Sequence, residues 1–153
     1  MTAEQVSPGR AELIVRVHGA IPAPQGSKSY KGMRNGKPIL AESSKKVAPW
    51  RYAVATAARS AMLAAGWMTL DCAVELAVIF YLPAPKTMPK GRTAPTTYPD
   101  LSKLVRSTED ALVAAKIVKD DARFIREVSE KEYAIGRPPG AWIRVRAMTD
   151  MLL

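Results

Sequence analysis

Three aspartates hold the chemistry on offer. Asp100 stands just before a stretch of helical periodicity, and Asp120 and Asp121 form a pair beyond it. A helix from about Leu101 to Leu112 carries the chain roughly 18 Å away from Asp100, at ~1.5 Å per residue. The segment Val113 to Lys119 spans ~23 Å when extended, at about 3.3 Å per residue. The pair therefore returns beside Asp100 if that segment doubles back directly. Converging carboxylates in a basic chain suit a hard cation such as Mg2+, whose ligands are oxygens. With phosphate as the other partner, the chemistry is metal-assisted phosphodiester hydrolysis. The same residues also have a structural reading. Asp is a favoured N-cap, so Pro99-Asp100 before an apolar helix is an ordinary helix start. Asp120-Asp121 before a β-rich run is an ordinary turn. Spacing alone favours the structural reading.

The helix between the acids is legible. Leu101, Leu104, Val105, Thr108, Ala111, Leu112 and Ala115 fall on one face. Lys103, Arg106 and Asp110 fall on the other.

These residues also resemble a family. Pro99-Asp100-Leu101, then Leu104 and Arg106, then Asp110-Ala111-Leu112, then Asp120-Asp121 are similar to the motif of the RusA Holliday junction resolvases, found largely on phages and prophages. The resemblance implies a homodimeric endonuclease of DNA recombination and repair that cuts branched DNA. Its cofactor would be Mg2+, with Mn2+ as a substitute. Asp100 matches the family's first catalytic aspartate. Arg106 falls where the family has a lysine needed for cleavage, and the change keeps charge while altering hydrogen-bond geometry. Asp110 matches the helix aspartate. Asp120 and Asp121 match the paired aspartates, the second being the firmer catalytic residue. The resemblance thus implies Asp100, Asp121 and Arg106 in catalysis, and Asp100, Asp120 and Asp121 as metal ligands. One departure matters. The family has Asp-Leu-Asp where this chain has Asp100-Leu101-Ser102. A serine hydroxyl is a weaker, neutral ligand. The alternative is therefore a junction-binding protein whose cleavage is weak or lost. Lys103, where an asparagine is common, adds a cation for a DNA phosphate.

Length and charge set the frame. A chain of 153 residues is one domain's worth, read as a single domain over 1–153. The net charge of +9, from 23 basic and 14 acidic residues, points to a polyanion, with nucleic acid ahead of a membrane surface. Solubility alone explains some of it. Cys72 is the only cysteine and His18 the only histidine. An intrachain disulfide is thereby excluded, and zinc clusters and Ser-His-Asp catalysis are poorly supported. No signal peptide or membrane-length apolar run is present, so the expected location is the cytoplasm, with no membrane partner. Neither repeats nor a Gly-rich phosphate loop are found.

In chain order, Met1 to Arg10 is polar and expected to be flexible. Glu12 to His18 alternates as a strand, and Pro22, Pro24 and Gly26 break it. Asn35-Gly36 is a hairpin-turn signal between short strands Ser27–Lys31 and Lys37–Leu40. Lys28, Lys31, Arg34 and Lys37 on that hairpin read as phosphate donors, with Tyr30 for stacking; the bland reading is a solvated hairpin. A first helix begins near Ala48, buries Trp50, Val54, Ala57, Ala58, Ala61 and Ala65, and ends at Gly66. Asp71 to Leu82 reads as a central strand covered by helices. Glu75 on its opposite face reads as a solvated residue, or remotely as the missing carboxylate. Segment 83–99, rich in proline, reads as a mobile basic loop whose Lys86, Lys90 and Arg92 clamp DNA phosphates. Ala122 to Ala134 reads as a strand with an irregular middle, burying Phe124, Val128 and Tyr133. Ala141 to Met148 reads as its hairpin partner.

The elements add up to an α+β domain, a mixed sheet with two main helices packed on it. A twofold homodimer would match the symmetry of a four-way junction. Two weaker readings stand beside it. One is a nuclease of the Pro-Asp…Asp/Glu-x-Lys type, for which no Asp/Glu-x-Lys follows usefully. The other is a basic structural protein that binds duplex and branched DNA alike.

Overall fold

A computed structural model describes residues 11–26, 28–42 and 45–148. The expected flexibility of Met1 to Arg10 falls outside the described residues. The elements are β1 (Glu12–His18), β2 (Lys28–Arg34), β3 (Lys37–Glu42), α1 (Val47–Ala65), β4 (Val74–Pro83), α2 (Leu101–Ala114), β5 (Phe124–Ala134) and β6 (Gly140–Ala147), with a 3-10 turn at Asp121–Arg123. Strand, hairpin, helix, strand, helix, strand, strand is the order the sequence predicts.

The main sheet runs β1-β6-β4-β5. It is mixed: β4 pairs parallel with β5 and antiparallel with β6, and β6 pairs antiparallel with β1. The β2–β3 hairpin forms a separate sheet. Its turn is the expected one, with Asn35 and Gly36 both at positive φ, 52° and 77°.

Several sequence expectations fail here. β5 and β6 do not form a hairpin, because β4 lies between them. The reason is burial. Val74, Leu76, Val78, Phe80 and Leu82 are all buried on one face of β4, and Ala77 and Tyr81 on the other. A β5–β6 hairpin would push this most apolar strand to an edge. β5 takes the edge instead and is continuous, with one register shift where it begins. Its Val128 is 53% exposed rather than buried, and Phe124 and Tyr133 are half-buried. The helices cover one face of the sheet only, and Val128 points to the other, on a strand with no neighbour beyond it among the described residues.

Both helices pack on one face of the sheet. Trp50, Val54 and Ala58 of α1 and Leu104, Ala111 and Leu112 of α2 meet Leu13, Val15, Leu76, Val78, Phe80, Ile143 and Val145. Small alanines let the two helices approach. Trp50 is core, as its spacing predicts, with its indole Nε1 donating to Thr108 Oγ1 at 3.1 Å. α1 closes at Gly66, whose left-handed φ of 62° is why glycine stands there. Among the described residues, no helix is long and apolar enough to cross a membrane.

Candidate active site

α2 is fixed before it is used. Ser107 Oγ donates to the Ala23 carbonyl at 2.6 Å, and the Gln25 amide donates to the Lys103 carbonyl at 2.9 Å. Arg51 of α1 holds Asp110 Oδ2 at 3.1 Å and also donates to the Gln25 side chain. Asp110, the helix aspartate of the motif, thus ties α2 to α1.

The start of α2 shows what Asp100 does locally. Asp100 sits at the N-cap position with extended backbone, φ −68° and ψ 133°, but its side chain makes no capping hydrogen bond. Its carbonyl, not its carboxylate, accepts from Lys103 and Leu104 at 3.1 Å each. The exposed carboxylate is not spent on the helix. The approach to Asp100 is anchored from β5: Lys131 Nζ donates to the Thr97 carbonyl at 2.8 Å and the Pro99 carbonyl at 2.7 Å.

The chain does not return from α2 as an extended segment. Lys116 takes a left-handed φ of 69°, and Ile117 donates back to Leu112 at 3.1 Å. That pair closes the helix. Ile117 and Val118 are fully buried, and Val118 bridges Leu70. The turn that follows carries the acidic pair. Asp120 Oδ1 caps it, accepting from Ala122 N at 3.0 Å, and lies 3.6 Å from Arg123 Nη1. Arg123 in turn binds Asp71 at 2.7 Å, and this hydrogen bond holds the Asp71 carboxyl below its usual range.

Asp121 then faces a cavity of about 520 Å³. α2 supplies one wall with Leu101, Ser102, Val105, Arg106, Glu109 and Asp110. Asp121, Glu127 and Ser129 supply another, and Gln25 a third. The cavity is acid-rich. Half-buried Glu109 is pushed up to about 8, first by burial, then by its hydrogen bond with Glu127, then by the charges of Asp121 and Asp110.

Five motif positions therefore share this cavity: Leu101, Ser102, Arg106, Asp110 and Asp121. Asp100 immediately precedes its wall without lining it. Asp120 lies in the adjoining turn. Lys103 is exposed on α2. Arg34 and Lys37 are exposed on either side of the hairpin turn, whereas the side chains of Lys28, Tyr30 and Lys31 fall outside the described residues. Lys86 and Lys90 are exposed and Arg92 half-exposed on segment 83–99, which after Pro83, the last residue of β4, has no helix or strand. Carboxylate oxygens suit a hard cation in kind. Among the described residues, no three acidic, cysteine or histidine side chains already converge on one point.

Sequence reasoning missed Glu109 and Glu127. The signals were present: Glu109 is three residues after Arg106 on the polar face of α2, and Glu127 alternates with Ser129 and Lys131 along β5. Glu75 was misread. It is neither solvated nor in the cavity. It is 3% exposed on the opposite face of the sheet, bound by Arg126 at 3.1 Å, Arg144 at 3.0 Å and Arg146 at 2.7 Å.

The family model described as endodeoxyribonuclease RusA matches residues 12–146, nearly the whole chain. No curated protein matches it.

Proposed function

The chain belongs to the RusA endodeoxyribonuclease family, and from that premise we propose that it resolves four-way DNA junctions by symmetric, Mg2+-dependent phosphodiester hydrolysis. Membership itself implies a Holliday junction resolvase nuclease that binds branched DNA. The metal, the twofold homodimer, the cytoplasmic setting and the residue roles are our reading.

The observation that supports this reading most is the acidic cavity beside α2. In a chain of net charge +9, burial and then the neighbouring carboxylates push Glu109 up to about 8 there. A divalent cation relieves such crowding. In our reading Asp100 and Asp121 offer the carboxylate oxygens for Mg2+ or Mn2+. Asp120, with Oδ1 kept by its cap, supports them through its other oxygen. When bound, such an ion would polarise the scissile phosphate and favour hydroxide over water. Arg106 faces the same cavity and stabilises negative charge as it develops on the phosphate. Lys28, Lys31, Arg34 and Lys37 on the hairpin hold DNA phosphates, as do Lys86, Lys90 and Arg92 on a mobile segment 83–99, and Lys103. Affinity should therefore fall steeply with salt.

Ser102 on the cavity wall favours one second reading. With a hydroxyl where a carboxylate is expected, the protein would bind junctions and cleave them weakly or not at all. Incubation of the full chain with a synthetic four-way junction, with and without Mg2+ or Mn2+, separates the two. We expect paired symmetric nicks that need the metal. Junction binding without nicking would assign the second reading. Equal affinity for duplex and junction would overturn both.

A further inference from the structure

The helices cover one face of the main sheet, and the other face carries an ordered pattern. Residues paired across neighbouring strands point to the same side. Read across β1, β6, β4 and β5, the register gives four rows on that face. The first is Glu12, Arg146, Glu75, Arg126. The second is Ile14, Arg144, Ala77, Val128. The third is Arg16, Trp142, Ile79, Glu130. The fourth is His18, Gly140, Tyr81, Glu132.

Reversing each row matches it to itself. Glu12 then meets Arg126, and Arg146 meets Glu75. Ile14 meets Val128, and Trp142 meets Ile79. Arg16 meets Glu130, and His18 meets Glu132. Reversal is the operation of a twofold axis running along the strands, between β6 and β4, in the plane separating two facing sheets. The edge positions of β1 and β5 meet opposite charge or an apolar partner in the first three rows. Such a pair of sheets would be aligned, the common geometry for sheets packed about 10 Å apart.

We propose that this face is where two copies of the chain pair, about that axis. The proposal rests on the homodimer in our functional reading and adds the surface, the axis and the contacts. Charge balance argues for a second copy over DNA. The rows hold four arginines, Arg16, Arg126, Arg144 and Arg146, against four glutamates, Glu12, Glu75, Glu130 and Glu132. A polyanion would find no net attraction there, although the whole chain carries +9. Apolar groups are interleaved with these charges: Ile79 and Trp142 are half-buried on the central strands, and Ile14, half-buried, and Val128, 53% exposed, sit on the edge strands. Interfaces combine apolar contact with paired charges in this way.

Light scattering after size exclusion tests it on the full chain. The wild type should be a dimer. Arg16→Glu and Glu130→Arg should each weaken dimerisation by roughly tenfold or more, because each puts like charges together. Together they should restore it. A second measurement uses Ile14→Cys with Val128→Cys in a Cys72→Ser background. Within one sheet these positions are three strands apart, about 14 Å, too far for a disulfide. A sheet separation of about 10 Å is also too wide for a direct disulfide, so a short bismaleimide, long enough to join facing sheets and too short to cross three strands of one sheet, should give a covalent dimer. A wild-type monomer would overturn the homodimer reading and this surface with it. A dimer indifferent to both reversals, and yielding no covalent product, would overturn this surface alone.

Discussion

Glu75 and Glu109 are the same residue type set against opposite faces of one sheet, and their neighbours differ in sign. Glu75 is 3% exposed, with three guanidinium groups between 2.7 and 3.1 Å from its oxygens. Glu109 is half-buried, and that burial first, then Glu127, Asp121 and Asp110 around it, push its carboxyl up to about 8. The better-buried acid is the better-matched one. A buried charge with its counterions in place is architecture, costly to remove and chemically quiet. A less buried acid held protonated beside like groups is an incomplete arrangement, and such sites are where a cation or substrate phosphate changes the energetics. The contrast separates the two faces of this sheet: on one the buried acid is matched by cations, on the other acids crowd together.

The largest expected effect tests the crowded side. Asp121→Asn should lower junction cleavage on the order of 10³-fold, the scale of losing a key electrostatic group. Junction affinity should stay within a few-fold, and thermal stability should barely move. Equal loss of binding and cleavage would put Asp121 in the architecture instead. Ser102→Asp in the same assay should preserve or raise cleavage, since it adds a carboxylate to the cavity wall. Next comes the matched side. Glu75→Ala leaves Arg126, Arg144 and Arg146 facing one another without a counterion. It should cost about 3 kcal/mol, or roughly 10 °C in melting temperature for a chain of this size. A Glu75→Ala protein melting with the wild type would collapse the distinction.

Periodicity made the scaffold legible. The helical spacing of Leu104, Val105, Thr108, Ala111 and Leu112 predicts the buried face of α2, and all five are buried. Gly66 and Asn35-Gly36 mark a helix end and a hairpin turn because their left-handed backbone restricts which residues fit. Pairing was less legible. A strand's own alternation says which residues share a face and nothing about which strand lies beside it, so β5 and β6 looked like a hairpin. The site was legible as far as its motif. Ser102, Arg106 and Asp121 meet at one cavity. Glu109 and Glu127 escaped because each reads as a solvated charge on its own element. Only the packing of α2 against β5 puts them within a hydrogen bond of each other. Glu75 escaped for the mirror reason, since its three arginines come from two different strands.

Lysine 131 and Arg126 give a smaller contrast on one strand. Lys131 holds the Thr97 and Pro99 carbonyls just ahead of Asp100, while Arg126 is the most exposed of the Glu75 cations, with 61% of its side chain accessible. Lys131→Met should lower cleavage several-fold, through kcat more than junction affinity, and cost about 1 kcal/mol. Arg126→Met should leave the chemistry of the cavity alone and cost less than about 1 kcal/mol, as an exposed pair does. If Arg126→Met impaired the chemical step more than Lys131→Met, the division between the faces would be misplaced.

The smallest effect is a slope. In the folded protein Glu109 keeps its proton up to about 8, whereas a free glutamate side chain releases it near 4.5. Between those values the folded state binds more protons than the unfolded state. Stability from this group is therefore present at low pH and lost as pH rises through that window. Solvent reaches half of the side chain and screens the effect, so a drop of about 2–4 °C in melting temperature between pH 5 and 8 is the expected scale. Glu109→Gln removes the titration and should flatten that part of the curve, leaving the acid limb set by other carboxylates. Mg2+ sharpens the measurement. A cation in the cavity favours the ionised carboxyl, so added Mg2+ should raise the melting temperature of the wild type more at pH 8 than at pH 5. In Glu109→Gln that difference should shrink. Were the wild-type slope unchanged by the substitution, the crowding of acids around Glu109 would not be felt in solution, and Glu109 would be as quiet as Glu75.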